Sequence, residues 1–324
     1  GLAGYDQINV VGRVLSGIFD LGTIIMVYFI GKRLYRNSKV GLLAALFLAL
    51  SVLPIQLSHY FAVDTFANFF VYAAIYAAVC ISTGQAQNDD KEPEEGIKPS
   101  SKPWWILKWR DFIPYAFFGL LYGMALASKV SIYALALTLP LAALVFYLNL
   151  SEEKRPTVLP YIIRNLVLAG VIAFLTFRIF QPYSFMGPGF FGIRINQNWI
   201  NNLKELKTIS SGNVDVPYAL QWARRPITFA WTNMVKWGLG LPLGIAAWAG
   251  FVWMAWRSAK GDWKRHLIIL FWAGFIFITQ SLNPVRAMRY QLPIYPALAL
   301  IAAWMIMKLW EQQSRKVRKI TRLN

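Results

Sequence analysis

The chain has 324 residues, of which 57% are hydrophobic and only 15% charged, with a mean hydropathy of +0.43 and a formal charge of +18. A soluble domain carries about 25% charged residues, so the two soluble domains that the length would suggest are excluded. The positive charge flanks apolar runs instead of forming a groove-sized patch, which argues against nucleic acid, and the single cysteine, Cys80, excludes an intrachain disulfide.

A membrane-spanning helix needs about 20 predominantly apolar residues. Nine runs qualify: 10–30, 40–58, 63–82, 112–127, 131–148, 160–180, 235–256, 267–282 and 290–309. The fourth and fifth are short and separated by Lys129, so they read as a helical hairpin. The fold class expected is an all-α polytopic bundle forming one integral membrane domain over residues 1–324. The chain begins at Gly1 with no Met and no signal-peptide pattern, which reads as an internal start within a longer protein.

Lys and Arg choose the orientation. They cluster on alternate connections: Lys32 to Lys39, Lys91 to Arg110, Lys154 with Arg155, and Arg257 to Arg265, with Lys308 and a basic tail after the last span. By the positive-inside rule these are cytoplasmic, which puts the N-terminus outside and the C-terminus inside. Residues 84–111 read as a flexible cytoplasmic linker, since 84–101 is acidic, Pro- and Gly-bearing and without period. Residues 311–324 read as a basic cytoplasmic tail near anionic lipid. Residues 181–236 form the one long extracytoplasmic loop, with a polar helix expected over 196–208 and a turn at 210–213; a loop of that length is usually functional. Trp104, Trp105, Trp109, Trp237 and Trp263 read as an interfacial belt.

This topology leaves few acidic groups on the outer face: Asp6, Asp64, Glu205 and Asp215. Any carboxylate base working there comes from these four. Asp64, at the mouth of the third run, is the strongest of them. It reads either as an N-cap of that helix or as a cap that also serves a site. Asp20 lies mid-span, two turns from Arg13, and reads as a structural intramembrane pair with it. Lys129, set among apolar residues, needs an anionic partner: a carboxylate, a lipid headgroup or a substrate phosphate. Arg286 and Arg289 precede the last run, which opens on Tyr290, on the side where positive charge is disfavoured. Either the arginines snorkel to lipid headgroups or they form a phosphate clamp, which Arg194 of the long loop could join. His59 and His266 fall on opposite sides, so no metal site is expected. A divalent metal has no support in the sequence, and no cofactor motif is visible.

Val11-Gly12-Arg13-Val14-Leu15-Ser16, Gly31-Lys32-Arg33-Leu34-Tyr35 and Gly41-Leu42-Leu43-Ala44-Ala45 resemble segments of the polytopic GT-C glycosyltransferases, in the branch that holds protein O-mannosyltransferases and the lipid A aminoarabinose transferase. Asp64-Thr65, Ala127-Ser128-Lys129 and Met288 through Pro296 continue the resemblance in order. It implies a transferase that moves a sugar from a polyprenyl-phosphate donor to a protein, lipid or glycan acceptor on the extracytoplasmic face of a bacterial or archaeal plasma membrane, with inversion. Lys129 and Arg289 match positions that neutralise the lipid-linked phosphate, and Asp64 an acidic position near the site. The family's first span and its catalytic loop have no counterpart here, so the resemblance also implies that the catalytic Asp lies outside this sequence. The alternatives are a non-catalytic scaffold subunit of a membrane complex with the same fold, and a transporter of lipid-linked sugar.

Overall fold

The computed structural model describes residues 5–84, 109–187, 189 and 192–321. Its elements are α1 (Tyr5–Tyr35), α2 (Ser38–Ala49), α3 (Val52–Ser58), α4 (Val63–Ser82), α5 (Trp109–Ser128), a 3₁₀ stretch (Val130–Leu137), α6 (Thr138–Asn149) and α7 (Arg155–Phe180). A two-strand ladder follows, β1 (Phe185–Met186) and β2 (Arg194–Ile195), with Phe185 opposite Ile195. Then come α8 (Gln197–Ser210), α9 (Pro217–Leu220), α10 (Phe229–Asn233), a π turn (Met234–Gly238), α11 (Leu241–Arg257), α12 (Trp263–Leu282), a second 3₁₀ stretch (Met288–Ile294) and α13 (Tyr295–Thr321). Among the described residues, seven helical stretches are long and apolar enough to cross a bilayer, and an eighth if the bent pair α2 and α3 counts as one span. The stretch Leu241–Leu282 contains both α11 and α12, joined through Gly261 at φ +119°, a conformation that L side chains avoid. The protein is an all-α integral membrane protein.

Three features differ from the sequence reading. Run 40–58 is not straight: its two helices meet at a 61° bend. The cause is Pro54, which has no N–H for the Leu50 carbonyl and whose ring would clash with it. The basic tail is helical as far as Thr321, as a direct continuation of α13, with Lys308 Nζ 2.8 Å from Glu311. Arg13 and Asp20 form no ion pair. Seven residues of helix separate them by about 10 Å of rise, whereas side chains meet at spacings of three or four. Of the expected linker, residues 85–108 lie outside the described set, and α5 begins at Trp109.

The chain divides into two compact units, Gly1–Phe69 with Glu205–Asn324, and Phe70–Lys204. In the first, α13 is the central helix. Ala297 through Ala303 are all at most 1% exposed, as expected of a helix that is apolar on every side. It packs against α2 and α11. The turn between α1 and α2 is two residues long: Arg36 takes the left-handed conformation that closes a helix (φ +49°), and the Asn37 side chain accepts from Lys39 N at 2.9 Å. The hairpin is tight because Gly41 lies where a Cβ would come 2.5 Å from the Tyr28 carbonyl. At the C-terminal end of α1, Tyr35 Oη lies 3.3 Å from His266 Nδ1, with the Trp304 ring 5.0 Å from the imidazole.

The second unit is built on α5 against α7. Gly119 and Gly123 face Ala169 and Ala173, so small residues spaced by four on each helix bring the backbones together. In a bilayer, where burial of apolar surface gives helices little reason to associate, such close packing is a main source of association. The 3₁₀ stretch Val130–Leu137 lies against α5, where Tyr122 donates to the Tyr133 carbonyl at 3.0 Å.

Candidate functional site

Asp64 lies in the first turn of α4 and is buried, at 7% exposure. The helix begins at Val63, so Asp64 stands within the turn and not ahead of it; its charge still favours the positive end of the helix dipole. Thr65 Oγ1 donates to the Ala62 carbonyl at 2.9 Å. Phenylalanines fix this turn against α1. The Phe61 ring fills the space a Gly12 side chain would need, Phe69 lies 2.7 Å from a Cβ built at Gly22, and Phe19 stacks with Phe66 and Phe69 at 4.7 and 5.2 Å. Sequence reasoning missed Asn68, one turn beyond Asp64 on the same face. Asn68 is 2% exposed, and among the described residues its Oδ1 has no hydrogen-bond partner, as is also true of the buried Ser16 Oγ of α1. A buried, unpartnered amide oxygen is costly unless something binds it. The signal available beforehand was the i, i+4 spacing of two polar residues in an otherwise apolar helix.

Arg286, Arg289 and Tyr290 share one short segment of the same unit. Arg286 is committed to the protein: its Nε donates to the Ser281 carbonyl at 2.8 Å, its Nη1 donates to the Arg225 carbonyl, and its backbone N–H reaches the Trp222 carbonyl at 3.2 Å. It ties the segment before the last span to the loop 222–225. Arg289 is exposed, with its guanidinium 5.5 Å from the Tyr290 ring centroid, and Tyr290 packs on the cluster of Ala219, Ala223 and Val285. Gln291 follows, 1% exposed, its Nε2 donating to Ser281 Oγ at 3.2 Å while Oε1 has no partner.

Lys129 and Arg194 belong to the other unit. Lys129 is the extended residue (φ −155°, ψ 105°) between α5 and the 3₁₀ stretch, and is half-buried. Arg194 is exposed on β2. Arg178, in the last turn of α7, is the buried cation here: its Nε donates to the Gly192 carbonyl at 2.7 Å and its guanidinium lies 5.2 Å from the Phe185 ring. Asn196 caps α8 by accepting from Asn198 N at 3.0 Å, and its own amide donates to the Tyr183 carbonyl at 2.8 Å. The polar helix expected over 196–208 is α8, Gln197–Ser210, followed by a turn through Gly212 at φ +71°.

The first unit holds a buried carboxylate at a helix start and the exposed Arg289, and the second holds Lys129 and Arg194. No curated protein matches the chain significantly. Among solved structures, the fold is similar to ArnT from Cupriavidus metallidurans bound to undecaprenyl phosphate, at 14% identity and a TM-score of 0.51, covering 96% of this chain and 48% of that one. It is also similar to the Archaeoglobus fulgidus oligosaccharyltransferase, at 16% identity and a TM-score of 0.53, covering 96% of this chain and 38% of that one. The chain thus spans less than half the length of the structures it matches, and at such identities the likeness is one of fold. The family model described as dolichyl-phosphate-mannose-protein mannosyltransferase matches residues 4–183, a range that takes in Asp64 and Lys129, and the chain belongs to that family.

Proposed function

We propose that this chain forms membrane-embedded machinery of a glycosyltransferase that takes a sugar from a polyprenyl-phosphate donor and delivers it, with inversion, to a protein, lipid or glycan acceptor on the extracytoplasmic face. The observation that carries this reading is the buried carboxylate of Asp64, in the first turn of α4 and inside the family match. Undecaprenyl phosphate bound to the similarly folded ArnT supports the donor class.

The chemistry assigns the residues. Inversion is a single displacement: the acceptor oxygen bonds to the anomeric carbon as that carbon's bond to the lipid phosphate breaks, the phosphate leaves with the bonding pair, and the hydroxyl proton passes to a carboxylate base. In the first unit Arg289, beside Tyr290, is suited to oppose the charge that grows on a departing phosphate, and in the second Lys129 and Arg194 are suited to the same role. Arg286 holds the segment that carries Arg289 in place. Asp64 accepts a hydrogen bond from the acceptor, from a group that positions it, or from the attacking hydroxyl.

The test is donor binding and turnover in the whole protein. Lys129→Ala and Arg289→Ala should each weaken donor binding by about tenfold, as the loss of one charge-assisted hydrogen bond does. Unchanged affinity in both removes the phosphate clamp. Asp64→Asn should lower turnover more than the yield of folded protein. If yield falls instead, Asp64 is only a helix-dipole partner.

A further inference from the structure

Helix α1 presents distinct faces. Val14, Ile18, Leu21 and Ile25 recur at the helical period and are each more than half exposed, so they form an exposed apolar stripe. Ser16, Thr23, Val27, Ile30 and Leu34 form the buried stripe opposite. On the flank between them, Arg13 and Gly17 border a cleft of about 590 Å³ whose far wall is Ser58, His59 and Tyr60, at the end of α3. That volume is within the range of small-molecule sites. Gly17 keeps it open, since a Cβ there would meet nothing within 4 Å.

The polar groups of this cleft divide into donors and acceptors. Arg13 is exposed and makes no hydrogen bond or ion pair with any described residue, so its guanidinium is available. The Tyr60 hydroxyl is a second donor. Ser58 Oγ already donates to the Ile55 carbonyl at 2.8 Å, which leaves its oxygen as an acceptor. His59 Nδ1 lies 2.6 Å from the same carbonyl. A carbonyl can only accept, so Nδ1 carries the hydrogen, and in that tautomer Nε2 is the acceptor. The cleft therefore offers a planar cation for a phosphate, two acceptors for hydroxyl groups, and, beginning at Val14 on its rim, an apolar stripe suited to an acyl chain.

We infer that this cleft binds a bilayer phospholipid whose anionic phosphodiester carries a hydroxylated headgroup, of the phosphatidylglycerol type. Arg13 and Tyr60 hold the phosphate, Ser58 Oγ and His59 Nε2 accept from the headgroup hydroxyls, and the acyl chain lies along Val14, Ile18, Leu21 and Ile25. The site involves none of the residues assigned to sugar transfer.

The test is native mass spectrometry of the detergent-purified full protein titrated with phosphatidylglycerol or phosphatidylcholine, with inorganic phosphate as competitor. The wild type should retain phosphatidylglycerol about tenfold more tightly than phosphatidylcholine, whose trimethylammonium cation offsets the phosphate charge that Arg13 faces. Arg13→Gln should abolish that preference. Gly17→Leu should abolish it too, with the charge intact, by filling the cleft; a Cβ at Gly17 meets nothing within 4 Å, and Arg13 is exposed. Equal retention of the two lipids overturns the inference, and so does a preference that survives in Arg13→Gln. Displacement of the lipid by inorganic phosphate at matched concentration would identify a free-anion site and overturn the lipid assignment. Because the readout is lipid retention, its failure is separable from any failure of the transferase reading.

Discussion

Gly123→Ala, read against Gly170→Ala, tests whether close packing of α5 on α7 holds the second unit together. A Cβ at Gly123 would lie 2.6 Å from the Ala173 carbonyl oxygen and 2.6 Å from Thr176 Cβ. Ordinary contact begins at 3.4 Å, so the helices must part by about 0.8 Å. One neighbour is backbone and the other a side chain's first carbon, so neither can rotate away. Overpacking of this kind costs about 1–3 kcal/mol. At Gly170, on the opposing helix, a Cβ meets nothing within 4 Å. Both substitutions gain the same helical preference of alanine over glycine, about 0.5–1 kcal/mol, so that gain cancels in the comparison. Gly170→Ala should be neutral or stabilising, and Gly123→Ala should be less stable than it by about 1–3 kcal/mol. Thermal unfolding in detergent, followed by fluorescence of the 14 tryptophans, reads the order of the two midpoints. If Gly123→Ala unfolds at the same temperature as Gly170→Ala, close backbone approach is not what joins α5 to α7.

Arg286→Ala should lower the unfolding midpoint more than Arg289→Ala does, because only Arg286 holds the Ser281 and Arg225 carbonyls; equal shifts would mean that the tie between the two loops carries no stability. Arg178→Met should cost about 1.5–3 kcal/mol, the worth of a charged group's hydrogen bond, and should raise amide exchange across Phe185–Ile195, where Gly192 loses its donor; unchanged exchange there would separate the hairpin from Arg178. Tyr295→Phe should be near neutral, since the buried hydroxyl has no partner to lose. Gly238→Ala should be destabilising, because its Cβ would collide with that hydroxyl, and Tyr295→Phe should recover part of the loss. Independent, additive effects would show that the two do not touch.

What was legible in the sequence follows the range over which each signal acts. Hydropathy integrates over some 20 residues, so every apolar run appears as helix, and α8 appears because capping and periodicity act within a turn or two. The bend at Leu50 was present in the sequence as Pro54, but a proline four residues into a helix and a proline in a helix's first turn look alike until the start of α3 is known. The arginines mark where reading by sequence fails. Charge on a disfavoured side of a membrane signals that a cation has a purpose, without saying which. Arg286, singled out as a phosphate ligand, is bound to carbonyls 5 and 61 residues away, and Arg178, passed over at the end of a span, is buried against a carbonyl 14 residues on. Both partners are main-chain oxygens, which carry no residue identity, so no pattern of side chains could have announced them. Acidic partners would have done so, and their scarcity on the face assigned as outer leaves the arginines there to backbone or to ligand. Arg13, exposed and bonded to neither among the described residues, is the cation for which we infer a bilayer lipid.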